Sequence, residues 1–361
     1  MSRLSDFLEE EIEAGSFPGG AALVGSRDEI FERRLAGAAA VEPSRDPLSA
    51  ETLFDLASLT KPLATGALVR VAVQRGLRLE DPPGRFLPEW KRTRFEGMTL
   101  EQLLIHTSGL PAWYPVYAQG EGPVAYRRTL AGLEPEHAPG EIVLYSDPGF
   151  LVLGDVLEVF FAAPLDSSFA ELSAAPAGSR ARFRPARDPE TPAAATEKGD
   201  ATERRMVAEL GIAYEGFRTG VVRGEVHDGN AFRRGGAAGN AGLFGTAEDV
   251  WRLARRWLDP GASAFTSDRT PGKPEARGLA WQLARGAGSA VPGFSDAAFG
   301  HTGFTGTSVW ADPRLDRVWI LLTNRIHPEV RPGDFHAVRK RFHQLALDEF
   351  PSPRSPAGLP I

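Results

Sequence analysis

The stretch Thr52-Leu53-Phe54-Asp55-Leu56-Ala57-Ser58-Leu59-Thr60-Lys61-Pro62-Leu63-Ala64 decides how this chain reads, because it sets a serine and a lysine three positions apart. An apolar run switches to helical spacing at Ser58. Pro62 falls in the first turn of the helix so predicted, where its missing N–H costs little. Residues three apart on a helix face one another, so the Lys61 amine reaches the Ser58 oxygen. A serine hydroxyl is a poor nucleophile until a neighbouring base takes its proton. A lysine held in a dry pocket is one such base. Free backbone N–H groups at the start of a helix also face any developing oxyanion. Serine and lysine at this spacing occur by chance on many solvated helix faces, so the pair needs support. Lys61 is the only one of the chain's 5 lysines with a serine three places before it. Its flanks Phe54, Leu56, Leu59, Leu63 and Leu68 are too apolar for a solvent-facing turn.

A serine–lysine nucleophile of this kind works with a polar tripeptide and a basic-Thr-Gly tripeptide on a strand. Both are present, in that order. Tyr145-Ser146-Asp147 leads into Pro148-Gly149-Phe150-Leu151-Val152-Leu153-Gly154, and His301-Thr302-Gly303 is followed by Phe304-Thr305-Gly306. On these residues the chain resembles the serine hydrolases of the β-lactamase and penicillin-binding-protein superfamily, on the side of class C β-lactamases and D,D-peptidase-like esterases. Leu103-Leu104-Ile105-His106-Thr107-Ser108-Gly109-Leu110, Gly239-Asn240-Ala241-Gly242-Leu243-Phe244 and Leu321-Leu322-Thr323-Asn324-Arg325 resemble further stretches of that family. The likeness runs from about Phe17 to about Pro328.

The resemblance implies an α/β (α+β) fold, an antiparallel sheet flanked by helices with a second, mainly helical region. It also implies an acyl-enzyme. Ser58 would attack a carbonyl, with Lys61 and Tyr145 sharing the proton transfers. The N–H groups of Ser58 and of Phe304, just after Gly303, would form the oxyanion hole. Asp147 would orient Lys61, while His301 and Thr302 would contact the substrate. Carboxylic esters, D-amino-acid amides or peptides, and β-lactams all suit such apparatus, and no cofactor or metal is called for. Two residues depart from the family pattern. Asp147 stands where class C enzymes carry asparagine, and His301 where most β-lactamases carry lysine. An ionised aspartate accepts but does not donate, and beside Lys61 it favours the charged amine, moving proton abstraction onto Tyr145. A histidine is a weaker anchor than lysine for a substrate carboxylate. Ester cleavage is therefore expected over β-lactam cleavage. The competing class is a non-catalytic binding module on the same fold, whose mark would be loss of Ser58, Lys61 or Tyr145.

The glycines from Gly235 to Gly245 suggest a phosphate cradle, but no Gly-Lys-Ser/Thr follows; Thr246 to Asp249 reads instead as a capping box. His227-Asp228 lacks companions at metal-ligand spacing. Ser108 has Pro111 where a base would stand, so His106 to Gly109 reads as a structural turn, and Trp113, Tyr114 and Tyr117 suit a pocket wall or the core equally.

With 361 residues, 42% hydrophobic and 24% charged, the chain is long enough for a sizeable core. A net charge of −6 gives no general attraction to nucleic acid or anionic membrane. Zero cysteines exclude disulfides and thiolate metal sites. Glu9, Glu10, Glu11 and Glu13 interrupt the first apolar face, so no secretory signal or spanning segment is expected and a cytoplasmic location is. Residues 1–57 and 205–350 are assigned to the sheet region, with strands expected at Ala21–Gly25, Ile30–Leu35, Leu279–Ala284, Thr307–Ala311 and Val318–Thr323, and 58–204 to the helical region. Within the latter, 164–204 reads as a variable surface loop, and 351–361 is a proline-rich tail.

Overall fold

A computed structural model describes residues 2–188 and 190–351. Its strands are β1 (Gly19–Gly25), β2 (Ile30–Ala40), β3 (Asp46–Pro47), β4 (Phe54–Asp55), β5 (Arg182–Phe183), β6 (Ala195–Lys198), β7 (Val221–Arg223), β8 (Leu243–Gly245), β9 (Gln282–Leu283), β10 (Phe299–Thr302), β11 (Ser308–Asp312) and β12 (Arg317–Thr323). Seven of them form one antiparallel sheet in the order β3-β2-β1-β12-β11-β10-β9. The two ends of the sequence meet at its centre, where Gly20 lies opposite Thr323 and Gly25 opposite Val318. Strands β1 and β12 are buried along their whole length, which is why they read as continuous apolar runs and not as an alternation. Their side chains still divide by face. Ala22, Val24, Trp319 and Leu321 meet Leu4, Phe7, Leu8 and Phe342 of the first and last helices, Arg3–Glu13 and Phe335–Glu349. Ala21, Leu23, Ile320 and Leu322 face the larger core shared with the helical region.

That region is organised by the helix Asp147–Phe161. Ser146 caps it, its Oγ accepting from Gly149 N at 3.2 Å, and Pro148 through Leu157 are all buried. Glycine is required where the loop before β8 crosses this helix. A Cβ on Gly239 would collide with the Phe150 carbonyl, and one on Gly154 would lie 2.9 Å from Gly239 N. The glycine-rich loop thus serves close backbone approach. The capping box that follows it is formed by Thr246 and Asp249 at the helix Ala247–Ala254.

Three expectations are corrected. Residues 164–204, read as a surface loop, fold into the helices Leu165–Phe169 and Ala175–Ala177 and the strands β5 and β6. Pairing of β5 with β8 and burial of Ala193, Ala194 and Ala195 anchor the segment, which small side chains without periodicity did not signal. The strand expected over 279–284 shrinks to Gln282–Leu283, because Ala280 takes a left-handed φ of 70° that a strand cannot continue through. The single helix expected from Ser58 is three short pieces: a 3-10 turn Ala57–Leu59, a π-helical stretch Lys61–Gly66, and an α-helix Ala67–Gln74. All but Pro351 of the proline-rich tail lies outside the described residues. Among those residues no single helix is long and apolar enough to cross a membrane.

The last helix carries a titratable residue in its buried face. His343 is fully buried, with Nε2 3.1 Å from Ser308 Oγ and its ring against Phe342. Burial, helped by the Arg339 charge, pushes its pKa down to about 3. The unfolded chain binds this proton below about pH 6.5 and the folded chain does not until about pH 3, so stability is full above that window and is lost as pH falls through it. The loss is on the order of a few kcal/mol. The melting temperature should therefore fall steeply between pH 7 and 4.5. A His343→Gln protein, which keeps a partner for Ser308 but does not titrate, should show a shallower fall. An unchanged slope would remove His343 from the acid response.

Candidate active site

The strand β4 ends in Asp55, whose carboxylate accepts from Ala57 N at 2.9 Å and from His227 N at 2.7 Å. This holds Ala57 in a left-handed conformation, φ 46°, a geometry that costs a non-glycine residue about 1–3 kcal/mol. The sharp turn delivers Ser58 half-exposed on the floor of a cavity of about 450 Å³. Beyond it, Pro62 offers no N–H and the backbone widens to π geometry. Thr60 Oγ1 accepts from Leu243 N at 3.1 Å and Thr65 Oγ1 donates to Gly239 O at 2.7 Å, fixing the widened turn against the glycine loop.

Lys61 is fully buried. Its Nζ lies 2.9 Å from Ser58 Oγ, 3.1 Å from Asn240 O and 2.6 Å from Asp147 Oδ1. Burial alone would favour the neutral amine, but the Asp147 carboxylate, with Tyr145, outweighs it and raises the pKa above that of an ordinary lysine. Lys61 is thus an ammonium. Tyr145 approaches Ser58 from the other side, its hydroxyl 2.7 Å from Ser58 Oγ and 3.4 Å from Asp147 Oδ1. Burial raises the phenol's pKa; the nearby Lys61 charge opposes that shift without cancelling it.

The third sequence motif lies across the cavity on β10. Gly303 closes the hairpin to β11, donating to Thr307 O at 2.8 Å, and a Cβ there would collide with Thr307 Oγ1. Thr305 Oγ1 donates to Asp55 O at 2.7 Å and Thr307 Oγ1 to Leu56 O at 3.1 Å. These bonds tie the Gly303–Phe304 corner to the turn that presents Ser58. His301 is 2% exposed. Its Nδ1 lies 2.8 Å from Thr302 O, and a carbonyl only accepts, so Nδ1 carries the proton and Nε2 is a bare acceptor. Burial, with the Lys61 and Arg277 charges, holds the ring's pKa well below the ordinary histidine value. The ring is neutral.

Ser58, Lys61, Tyr145, Asp147, His301, Thr302, Gly303 and Phe304 are therefore gathered at one site, as expected from the sequence; all but Lys61 and Gly303 line the cavity. Other residues were missed. His106, read as part of a plain turn, accepts from Ser146 N at 3.0 Å and packs its ring 4.6 Å from that of Tyr145, so it positions the phenol. Arg339 of the last helix donates to Gly303 O at 2.6 Å and bonds Thr307 O, bracing the hairpin from behind. Arg277 and Glu203 line the cavity from segments that carry no motif, and Asp228 and Asn240 line it from stretches to which sequence reasoning assigned no role at the site. Trp113 lines it too, whereas the Tyr117 hydroxyl turns to Glu203 at 2.5 Å. Among the described residues no group of side chains could hold a metal ion, and His227 Nε2 faces Glu197 at 2.9 Å.

The Ser58 turn, Tyr145 just ahead of a capped helix, and the β10–β11 hairpin thus meet at one cavity. The Beta-lactamase family profile matches residues 4–341, and the chain belongs to that family. The chain is 29% identical to an N-acetylmuramyl-L-alanine amidase of Bacillus subtilis (strain 168), over 93% of this chain and 84% of that protein. It is 28% identical to a putative D-alanyl-D-alanine carboxypeptidase of Escherichia coli (strain K12), over 93% and 86%. The solved structure of EstCE1, a hydrolase with promiscuous acyltransferase activity, shares the fold with a TM-score of 0.69 at 22% identity, covering 94% of this chain and 97% of that one.

Proposed function

We propose that this chain is a serine hydrolase that works through an acyl-enzyme on Ser58, cleaving carboxylic esters and D-amino-acid amides in preference to β-lactams. What carries this is the position of Ser58 Oγ, 2.9 Å from Lys61 Nζ and 2.7 Å from the Tyr145 hydroxyl. Lys61 holds its proton and so is not the first base. Tyr145 takes the Ser58 proton as the oxygen attacks the carbonyl carbon. The phenol's own proton has an acceptor in Asp147 Oδ1, and the Lys61 ammonium steadies the charge that moves. The N–H groups of Ser58 and Phe304 receive the oxyanion. Tyr145 then hands a proton to the departing alcohol or amine, and in the second half-reaction takes one from the attacking water. The relatives, an amidase and a putative carboxypeptidase, and the promiscuous acyltransferase activity of EstCE1 support acyl transfer on this scaffold.

The preference for esters over lactams follows from His301. A neutral ring supplies no fixed positive charge for the carboxylate that penicillins carry. Incubating the protein in parallel with a p-nitrophenyl ester and a penicillin, and following turnover and intact mass, tests both parts. Ester turnover with a transient acyl adduct on Ser58, and slow penicillin turnover, is the expected result. Faster cleavage of the penicillin would overturn the reading of His301, and absence of any adduct would overturn the acyl-enzyme.

A further inference from the structure

The cavity around Ser58 is lined by more carboxylates than lysine or arginine side chains. Four carboxylates line it: Asp147, Glu203, Asp228 and Glu275. Two are matched by cations, Asp147 by Lys61 at 2.6 Å and Glu275 by Arg277 at 2.8 Å. Glu203 and Asp228 face no lysine or arginine within ion-pair distance among the described residues, and the nearby His227 is engaged by Glu197. Glu203 is held by neutral donors instead, the Tyr117 hydroxyl at 2.5 Å and Gly229 N at 2.6 Å, and Asp228 by Ala231 N at 2.7 Å. Burial, with the Asp228 charge beside it, pushes the Glu203 pKa up to about 7.

Two further buried atoms of cavity-lining residues support this reading. Asn240 is 1% exposed, and its Oδ1 has no hydrogen-bond partner. His301 Nε2, the bare lone pair of a neutral ring, has none either. Both residues line the cavity. A buried acceptor without a donor costs about 1–3 kcal/mol, so each is a place a ligand's N–H would gain. Unmatched carboxylates beside unfilled acceptors are complementary to a group with several donors and a positive charge.

Resting on the serine-hydrolase reading above, we propose that the physiological substrate carries a protonated primary amine, recognised by Glu203, Asp228 and the free acceptors of Asn240 and His301. The ammonium's three N–H groups bond to members of this set and its charge offsets the carboxylates while Ser58 Oγ meets the carbonyl. An uncharged isostere leaves the acceptors empty and gains nothing from the carboxylates. The amine belongs to the acyl half or to the leaving half of the substrate, and the two are separable by experiment.

Two matched pairs test this: D-alanine p-nitroanilide against propionic p-nitroanilide, with the amine on the acyl half, and 3-aminopropyl acetate against butyl acetate, with the amine on the leaving half. The cationic member of at least one pair should have the higher kcat/KM by roughly ten- to hundredfold, the worth of hydrogen bonds to a charged group. Glu203→Gln and Asp228→Asn should each shrink that ratio, and together bring it close to one. Fluorophosphonate labelling of Ser58 in each variant shows whether the serine remains reactive. Neutral substrates cleaved as fast as cationic ones, or a ratio the substitutions leave unchanged, would overturn the proposal while the hydrolase reading stands. If no substrate turns over and Ser58 fails to label, the hydrolase reading fails. Calorimetry on the Ser58→Ala protein then still decides the amine site, which requires D-alaninamide to bind more tightly than propionamide.

Discussion

Ser58→Ala should lose ester hydrolysis by several orders of magnitude, on the order of 10⁶-fold where a nucleophile acts as one unit with its base. No neighbouring group is placed to substitute. Ser108 is buried, and its Oγ is engaged by Leu110 N at 3.3 Å, while Ser146 Oγ is spent on Pro111 O and Gly149 N. The fold should barely notice. Lys61 keeps Asp147 and Asn240 O, Tyr145 keeps its Asp147 contact, and the lost hydroxyl is half-exposed, so the change in stability is about 1 kcal/mol or less. Circular dichroism melts and p-nitrophenyl acetate turnover on one preparation check both halves. Residual hydrolysis within tenfold of wild type, roughly 1.4 kcal/mol of barrier, would place the nucleophile elsewhere.

The second large effect is expected at Tyr145. Tyr145→Phe removes only the hydroxyl that lies between Ser58 and Asp147, so kcat should fall by about 10²- to 10⁴-fold, the usual worth of a general base, with little change in KM. Acylation and deacylation should slow together, because one group serves both by microscopic reversibility. Asp147→Asn asks who becomes the base when the carboxylate is gone. Burial then has no carboxylate to oppose it at Lys61, the amine's pKa drops, and a neutral lysine becomes available as base. In Asp147→Asn the rising limb of activity tracks a buried amine that has lost its paired carboxylate, and so is displaced from the wild-type limb. Pre-steady-state acylation across pH separates the outcomes. A Tyr145→Phe enzyme that acylates at the wild-type rate would assign the base to Lys61 alone.

The parts of this site legible in the sequence are those made by short-range geometry. Ser58 and Lys61 lie one turn apart, Tyr145 and Asp147 flank a helix cap, and His301 to Phe304 occupy one hairpin, so local spacing already places each group. The sheet was legible for a related reason, since fully buried strands leave unbroken apolar runs. What escaped depends on contacts across long sequence separations. The π-helical turn after Lys61 follows from bonds to Gly239 and Asn240, about 180 residues away in sequence, which no window around Pro62 contains. The acidic wall is similar: Glu203 and Asp228 belong to different segments and meet only because Gly229 N reaches the Glu203 carboxylate. His106 looked like a turn residue and is one, with φ 58°, yet the same turn aims its ring at Tyr145.

The pairing of β1 with β12 has a consequence for how the enzyme comes into being. A contact between Gly20 and Thr323 can form only after nearly the whole chain has been synthesised, and closing so long a loop is slow. During translation, Ser58, Lys61 and Tyr145 emerge early, but β10 and its hairpin have no central strand to add to until β11 and β12 follow. Ser58 therefore exists for a time without the corner that, in the proposed mechanism, receives the oxyanion. On the proposed mechanism, activity would begin only with a late event, the zipping of the last strand into the middle of the sheet, and a chain cut short before that strand should lack it.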